Sequence, residues 1–377
     1  VRRTARILVA FVVGLVVLGV IMLTSTSSVR AADKFADALY YAKRQLAWIG
    51  LALILGIGLA RFDYHLWRKA APLMACTAVI ALLLVFVQGI RCKVGGSYRW
   101  VRIAGLSFQP SEFAKIALVI TLSAWMSAVG PRARELTHGF LYPAAIIGVM
   151  AGLVMLEPDF GTTLLLGTVG LLLMYVGGSR LTYLAVLAAA GLVGFSVAVL
   201  HDPVRMGRIL AFLMPEKYPV TAYHLAQSKI AFIKGGVFGV GLGRSIQKQY
   251  YLPEAHTDFI FAIIGEERGL LATGTVLALF SGILACGLII TMRAPDVFGR
   301  LLGFGMTMLV TIQAAINIGV VTGCLPTKGL PLPFISYGGS SMLASVAAVS
   351  ILYNIAQHCT TEPDDHTRVI KDRAHNI

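Results

Sequence analysis

Tyr251-Leu252-Pro253-Glu254-Ala255-His256-Thr257-Asp258 runs without a break into Phe259-Ile260-Phe261-Ala262-Ile263-Ile264, and the apolar character continues to residue 292. A run of that length is enough to cross a bilayer. Its charges, Glu266, Glu267 and Arg268, stand near its start. Asp258 therefore lies at a hydrocarbon boundary, where charge is expensive and an ionisable group is by default a functional candidate. Desolvation also lifts a carboxyl pKa toward neutrality, which suits a general base. The competing reading is an interfacial Asp that caps the helix beginning at Phe259. The octapeptide alone leaves both open.

Outward from this run the same chemistry recurs. Of 377 residues, 57% are hydrophobic and 13% charged, with mean hydropathy +0.78. A soluble domain could not keep its surface wetted with that composition. Further apolar runs fall at about 7–24, 46–60, 71–90, 113–129, 140–156, 162–178, 181–200, 298–321 and 334–356. The predicted fold class is all-α integral membrane. It is a ten-transmembrane-helix polytopic bundle with a long, partly helical outer loop between spans seven and eight, since an open sheet edge does not survive in lipid. Residues 1–356 form one polytopic membrane domain and 357–377 a polar tail, with no separate soluble module. Arg2, Arg3 and Arg6 precede the first run, which reads as a retained signal-anchor because no small-residue cleavage site follows. The five cysteines show no paired metal-ligand spacing. Cys76 and Cys286 read as membrane packing; Cys92 and Cys324 fall near the same side, which permits a disulfide without favouring one.

The net charge of +14 is informative mainly in its distribution. Ten spans put both termini on one side, with Arg61, Arg68, Lys69, Arg132, Arg134, Arg180, Arg293 and Arg300. With the long loop 201–257 set aside, that side carries a modest excess, so the termini are read as cytoplasmic. The outer face stays basic. Anionic lipid headgroups explain part of this. Cations also punctuate Gly-, Pro- and aromatic-rich loops, which suits an anionic substrate at the membrane, a phosphate-bearing lipid; nucleic acid is not expected.

The outer loops carry the candidate chemistry. Lys93-Val94-Gly95-Gly96-Ser97-Tyr98-Arg99-Trp100-Val101-Arg102 precedes Gln109-Pro110-Ser111-Glu112-Phe113-Ala114-Lys115. Pro110 and Ser111 suit a helix start, and Glu112 with Lys115 shares a helical face. That pair is either a simple ion pair or the lining of a polar cavity. Glu157-Pro158-Asp159 closes one span and opens the next; its two acids serve as caps or hold a divalent cation. Apolar stretches near 208–214 and 225–233 are too short to span and belong at the interface. Gly-Val-Gly-Leu-Gly at 239–243 has the wrong spacing for a dinucleotide site and serves tight turns. In residues 325–341, three prolines forbid a continuous helix. Lys328 there is either a phosphate contact or an interfacial snorkeller.

Taken together, Arg99-Trp100, Gln-Pro-Ser-Glu-Phe-Ala-Lys at 109–115, Glu-Pro-Asp-Phe-Gly-Thr at 157–162, Pro-Glu-Ala-His-Thr-Asp-Phe at 253–259 and residues 325–341 resemble the SEDS family of RodA/FtsW-like polymerases. The Pro-Thr-Lys-Gly-Leu-Pro-Leu-Pro and Tyr-Leu-Pro-Glu-Ala-His-Thr-Asp segments are closer to the FtsW division branch. Phe113, Cys324 and Arg268 depart from the pattern where leucine is usual, and none is a motif acid. The resemblance implies a peptidoglycan glycosyltransferase of the inner membrane. It would join lipid II (an undecaprenyl-pyrophosphate-linked disaccharide-pentapeptide) into strands at the outer face, alongside a class B penicillin-binding transpeptidase and other division proteins. It places the essential aspartate at Asp258 and the substrate-binding positions at Arg99, Trp100, Glu112, Lys115 and Lys328; His256, Ser336 and Ser340 lie in the same segments and complete the candidate set.

The chemistry suits one base and several cations. A pyrophosphate leaving group needs little protonation but must have its growing charge stabilised. Asp258 would accept the proton of the acceptor sugar's 4-hydroxyl while Lys115, Lys328 and Arg99 steady the diphosphate. Mg²⁺ or Mn²⁺ would bridge that diphosphate to a carboxylate, with Glu157 and Asp159 as candidate ligands. Trp100 would stack on sugar or isoprenoid, or anchor at the interface. Two other classes compete: a lipid II flippase, whose path would also be lined by ions, and a non-enzymatic scaffold for a division transpeptidase.

Overall fold

The computed structural model describes residues 1–94, 97–103 and 106–359; the tail read from 357 onward lies outside them beyond Cys359. Twelve α-helices are described: α1 (Arg2–Phe35), α2 (Tyr40–Arg61), α3 (His65–Leu84), α4 (Pro110–Val129), α5 (Tyr142–Leu156), α6 (Phe160–Val176), α7 (Leu181–Leu200), α8 (Pro203–Leu213), α9 (Pro219–Gly235), α10 (Ile260–Met292), α11 (Val297–Val321) and α12 (Gly339–His358). Nine spans are long and apolar enough to cross a membrane, α5 being counted with the π-helical turn Thr137–Leu141 that leads into it, and α6 is a shorter apolar helix. With α6 the count is ten, as the hydropathy predicts. All five cysteines are free.

Each helix faces lipid or protein according to its place. α4, α11 and α12 bury most of their residues and form the centre, with Ala114, Leu118, Leu122, Leu302, Met306 and Leu352 closed off from solvent. α7 buries only Leu184 and Val199. It is hydrophobic all round because lipid, not protein, surrounds it.

Three features depart from a plain bundle. Strands β1 (Arg91–Val94), β2 (Ser97–Ile103) and β3 (Leu106–Phe108) form an antiparallel sheet in order β1-β2-β3 between α3 and α4. The sequence reading left this loop unassigned; the sheet lies in a connection rather than a span. α12 starts at Gly339 rather than 334, because Phe334 takes a left-handed φ of 67° and Tyr337 N is drawn to His256 O at 3.1 Å. The long loop folds as α8 and α9, at the two interfacial stretches the sequence marks.

α10 is interrupted at Gly269, whose φ of 70° lies in the left-handed region. Here the loop after α9 pairs with it: Val240 N donates to Glu266 O at 2.9 Å, Gly241 N to Glu267 O at 3.0 Å and Leu270 N to Gly236 O at 2.9 Å. A Cβ on Gly239 would stand 2.3 Å from Glu267 O, so only glycine admits this approach. Below it, the Glu267 carboxylate meets Lys248 Nζ at 3.0 Å and accepts from Ser25 Oγ at 2.8 Å. Glu266 accepts from the Ser245 hydroxyl and from Ile246 N at 3.2 Å. Charges this close to a span are tolerated because each is met within the protein.

Candidate active site at the Asp258 turn

Residues 254–258 form a tight turn ahead of α10. Glu254 has φ 52°, and its carbonyl accepts from Thr257 N and Phe259 N, both at 3.2 Å. α10 takes Phe259 as its N-cap with no side-chain cap hydrogen bond, so Asp258 does not serve as a helix cap. Its half-buried carboxyl is pushed up to about 7, first by burial, then by the charges of Glu254 and Asp159, with Arg99 and Arg208 opposing. That value fits a group able to exchange a proton at neutral pH.

The 325–338 segment closes over this turn. Tyr337 N donates to His256 O at 3.1 Å, and Ser336 Oγ donates to Thr257 O at 2.6 Å while accepting from Leu332 N at 2.8 Å. A Cβ on Gly329 would come within 2.7 Å of Asp258 Oδ2, so the loop backbone passes directly against the carboxylate. From α11, Asn317 Nδ2 donates to Asp258 O at 2.8 Å and to Leu330 O at 2.6 Å. Gln313 Nε2 donates to Pro331 O at 2.9 Å.

The predicted substrate residues separate into two groups. Arg99 and Lys328 stay half-buried at the turn's end of the bundle. Arg99 Nη1 lies 3.9 Å from Asp159 Oδ1, and its Nε has no hydrogen-bond partner among the described residues. Lys328 Nζ sits over the Phe195 ring at 5.0 Å, and burial pushes its pKa down. Trp100 is half-buried on β2 opposite Cys92. By contrast Glu112 and Lys115 form a sealed pair at 2.7 Å, with Lys115 1% exposed and its Nζ donating to Gln313 Oε1 at 2.7 Å. This pair supports the loop from below instead of facing an opening. Ser336 and Ser340 are buried as well; Ser340 Oγ accepts from Gln109 N at 3.2 Å, tying α12 to α4. His256 is buried beside Tyr41 and Tyr337, and burial pushes its pKa down.

Three further residues belong here. Arg208 faces Asp258, Arg99 and Asp202. Arg205 lies over the Phe160 ring at 3.8 Å, and Phe160 meets Phe195 edge-on at 5.4 Å. Asn317 is the third. The two arginines stand one helical turn apart on α8, a spacing visible in the sequence but masked by the surrounding basic residues. Arg205 also heads an open groove of about 690 Å³ lined by Val149, Gly152, Leu153, Met155, Leu156 and Ala198, between α5 and α7.

Asp159 does cap α6: Oδ1 accepts from Thr162 N at 3.2 Å, and Oδ2 from Thr162 Oγ1 at 3.0 Å and Gln109 Nε2 at 3.3 Å. Glu157 is different. It is 1% exposed, neither carboxylate oxygen has a partner among the described residues, and its pKa is pushed up to about 8 by burial and by Asp159. Among the described residues no group of three or more His, Cys, Asp or Glu could hold a metal. The donor set is thus two carboxylates, one fully open, which fits a cation whose remaining ligands come from substrate phosphates and water.

The sequence model of a family described as cell cycle protein, FtsW/RodA/SpoVE, matches residues 5–361. A probable peptidoglycan glycosyltransferase FtsW from Trichlorobacter lovleyi is 41% identical over 351 residues, covering 93% of this chain and 92% of the relative. Stage V sporulation protein E of Bacillus subtilis is 38% identical over 354 residues, covering 93% and 96%. A chain from a solved peptidoglycan synthase complex superposes with TM-score 0.76 at 26% identity, covering 94% of this chain and 98% of that one. Thermus thermophilus RodA superposes with TM-score 0.69 at 24% identity, covering 94% and 97%, a likeness of fold.

Proposed function

Because the chain belongs to the FtsW/RodA/SpoVE family of cell cycle proteins, we propose that it is a peptidoglycan glycosyltransferase of the division branch, polymerising lipid II at the outer face of the cytoplasmic membrane. The observation that carries this is the Asp258 turn, with the Gly329 backbone against its carboxyl, Asn317 holding its carbonyl, and Arg99 and Arg208 within electrostatic reach. Both termini lie in the cytoplasm, and the Asp258 end of the bundle faces outward.

The acceptor's 4-hydroxyl oxygen attacks the donor's anomeric carbon as Asp258 takes the hydroxyl proton. The new glycosidic C–O bond forms while the bond from that carbon to the diphosphate oxygen breaks, releasing undecaprenyl pyrophosphate. Arg99, Arg208 and Lys328 stabilise the charge on the departing diphosphate. Arg205 stands where the diphosphate would meet the α5–α7 groove, whose apolar walls suit an isoprenoid tail. Glu157 and Asp159 would hold a Mg²⁺ or Mn²⁺, which neutralises phosphate charge when bound. Glu112, Lys115, Ser336 and Ser340 act by fixing the loop and helices around the turn. Trp100 stands at the edge of the site, where it would pack on sugar or isoprenoid. The partner is a class B penicillin-binding transpeptidase; the related solved assembly is itself a peptidoglycan synthase complex.

The decisive experiment supplies purified protein with labelled lipid II on the outer side of proteoliposomes, with and without the transpeptidase. Glycan chains lost in Asp258→Asn support the reading. Translocation without chain growth would show a flippase, and neither activity would leave a scaffold.

A further inference from the structure

The turn at 254–258 has two unlike sides. Toward Asp258 lie Asp159, Arg99 and Arg208. Toward His256 lie tyrosines: the Tyr41 ring is 5.0 Å and the Tyr337 ring 6.0 Å from the imidazole, and the two tyrosines meet edge-on at 5.1 Å. Tyr40 is edge-on to Tyr41 at 5.5 Å, and its own face is covered by Phe35, stacked on it at 3.9 Å. The exposed Arg44 guanidinium lies over Tyr40 at 5.7 Å and donates to its hydroxyl at 3.1 Å. Glu254 faces both sides. His256 is 8% exposed, and its Nδ1 has no hydrogen-bond partner among the described residues.

We propose that this second side, formed by Tyr41, Tyr337 and His256 with Tyr40 and Arg44 at its rim, is a saccharide-binding subsite that holds the glycan beside the reacting centre. The inference rests on the polymerase reading and adds to it a separation of ligand parts. A diphosphate is recognised by cations gathered beside the reacting group, as Arg99 and Arg208 are by Asp258; the cations of the His256 side, Arg30 and Arg44, act instead on Tyr41. A sugar ring is uncharged; it packs its C–H faces on aromatic rings and takes hydrogen bonds from a few fixed polar groups. The His256 side offers half-buried tyrosine rings, a guanidinium and a buried imidazole nitrogen with an unmet hydrogen bond. Aromatic anchors of a membrane belt turn outward to headgroups. These rings instead bring together α2, the 253–259 turn and the 334–338 segment.

The test is binding without turnover. Full-length Asp258→Asn protein in detergent is mixed with a lipid-free, uncrosslinked peptidoglycan tetrasaccharide, and binding is read by saturation-transfer NMR. The tetrasaccharide is expected to bind, about three- to tenfold more weakly when Tyr41→Ala or Arg44→Gln is added, and nearly as well with Tyr41→Phe, which keeps the ring. Arg44 is exposed, so its variant reads the face even if an alanine at 41 perturbs folding. No binding, or binding indifferent to both substitutions, overturns the subsite and leaves a membrane anchor. If the saccharide binds as expected but wild-type protein makes no chains from lipid II, the polymerase reading fails and the subsite stands. If chains form without binding at this face, the subsite alone fails.

Discussion

Two clusters of acids and cations flank the start of α10, and they are completed to different degrees. Around Glu266 and Glu267, every carboxylate oxygen accepts a hydrogen bond, and Lys248 also donates to Gly243 O at 2.7 Å. Around Asp258, both Glu157 oxygens and Arg99 Nε lack hydrogen-bond partners among the described residues, Arg99 stands 3.9 Å from Asp159, and two carboxyls are pushed toward neutrality. Charge at a membrane boundary does not by itself mark function. The first cluster is satisfied and rigidifies the loop against α1 and α10. The second is unfinished, and its unmet groups define what a ligand must bring: anionic oxygens for the arginines and a proton or cation for the acids.

The largest expected contrast is Asp258→Asn, which should lower lipid II polymerisation by about 10²–10⁴-fold without lowering the melting temperature. A melting temperature that fell with activity would place Asp258 with the structural cluster. Lys248→Met should do the opposite, destabilising the protein by about 3–5 kcal/mol because it strands Glu267 in the interior. Retained thermal stability in this variant would break the comparison from the other side. Next is pH. With the Asp258 carboxyl near 7, kcat/KM should rise about tenfold per pH unit below that value and level off above it. Arg208→Gln removes a charge that favours the carboxylate, so the limb should move to higher pH; an unmoved limb would separate Arg208 from the base.

The smallest effect concerns Glu157. A carboxyl raised from 4.5 to about 8 keeps its proton in the folded state where the unfolded chain has lost it. It therefore withdraws stability as pH rises between those values. Glu157→Gln should flatten that fall, with its largest gain near pH 8, seen by melting curves across pH. An unchanged fall between those values would mean Glu157 is charged and paired.

Much of this was legible from the chain. Spans announce themselves because bilayer thickness sets a length that apolar runs must meet, and Pro326, Pro331 and Pro333 forecast the broken segment before α12. Asp258 stood out because its neighbours on one side are apolar. The division of labour was hidden. Glu112 and Lys115 read as an ion pair or a cavity lining, and the Gln313 that Lys115 meets lies on α11, some two hundred residues on, where nothing local encodes that meeting. Arg205 and Arg208 were lost among the many cations of the long loop, although the interfacial stretch near 208–214 that α8 overlaps was marked. The sheet over 91–108 escaped notice because no sustained alternation separates its short strands from a loop. Asn317 gave no signal, being one of several uncharged polar residues, with Thr307, Thr311 and Gln313, inside an apolar run.

That asparagine has a mechanical consequence. A single amide nitrogen grips the backbone at 258 and at 330, so the Asp258 turn and the loop carrying Lys328 are riveted to one central helix. Their separation is gauged by one buried side chain, and neither can drift without dragging the other along.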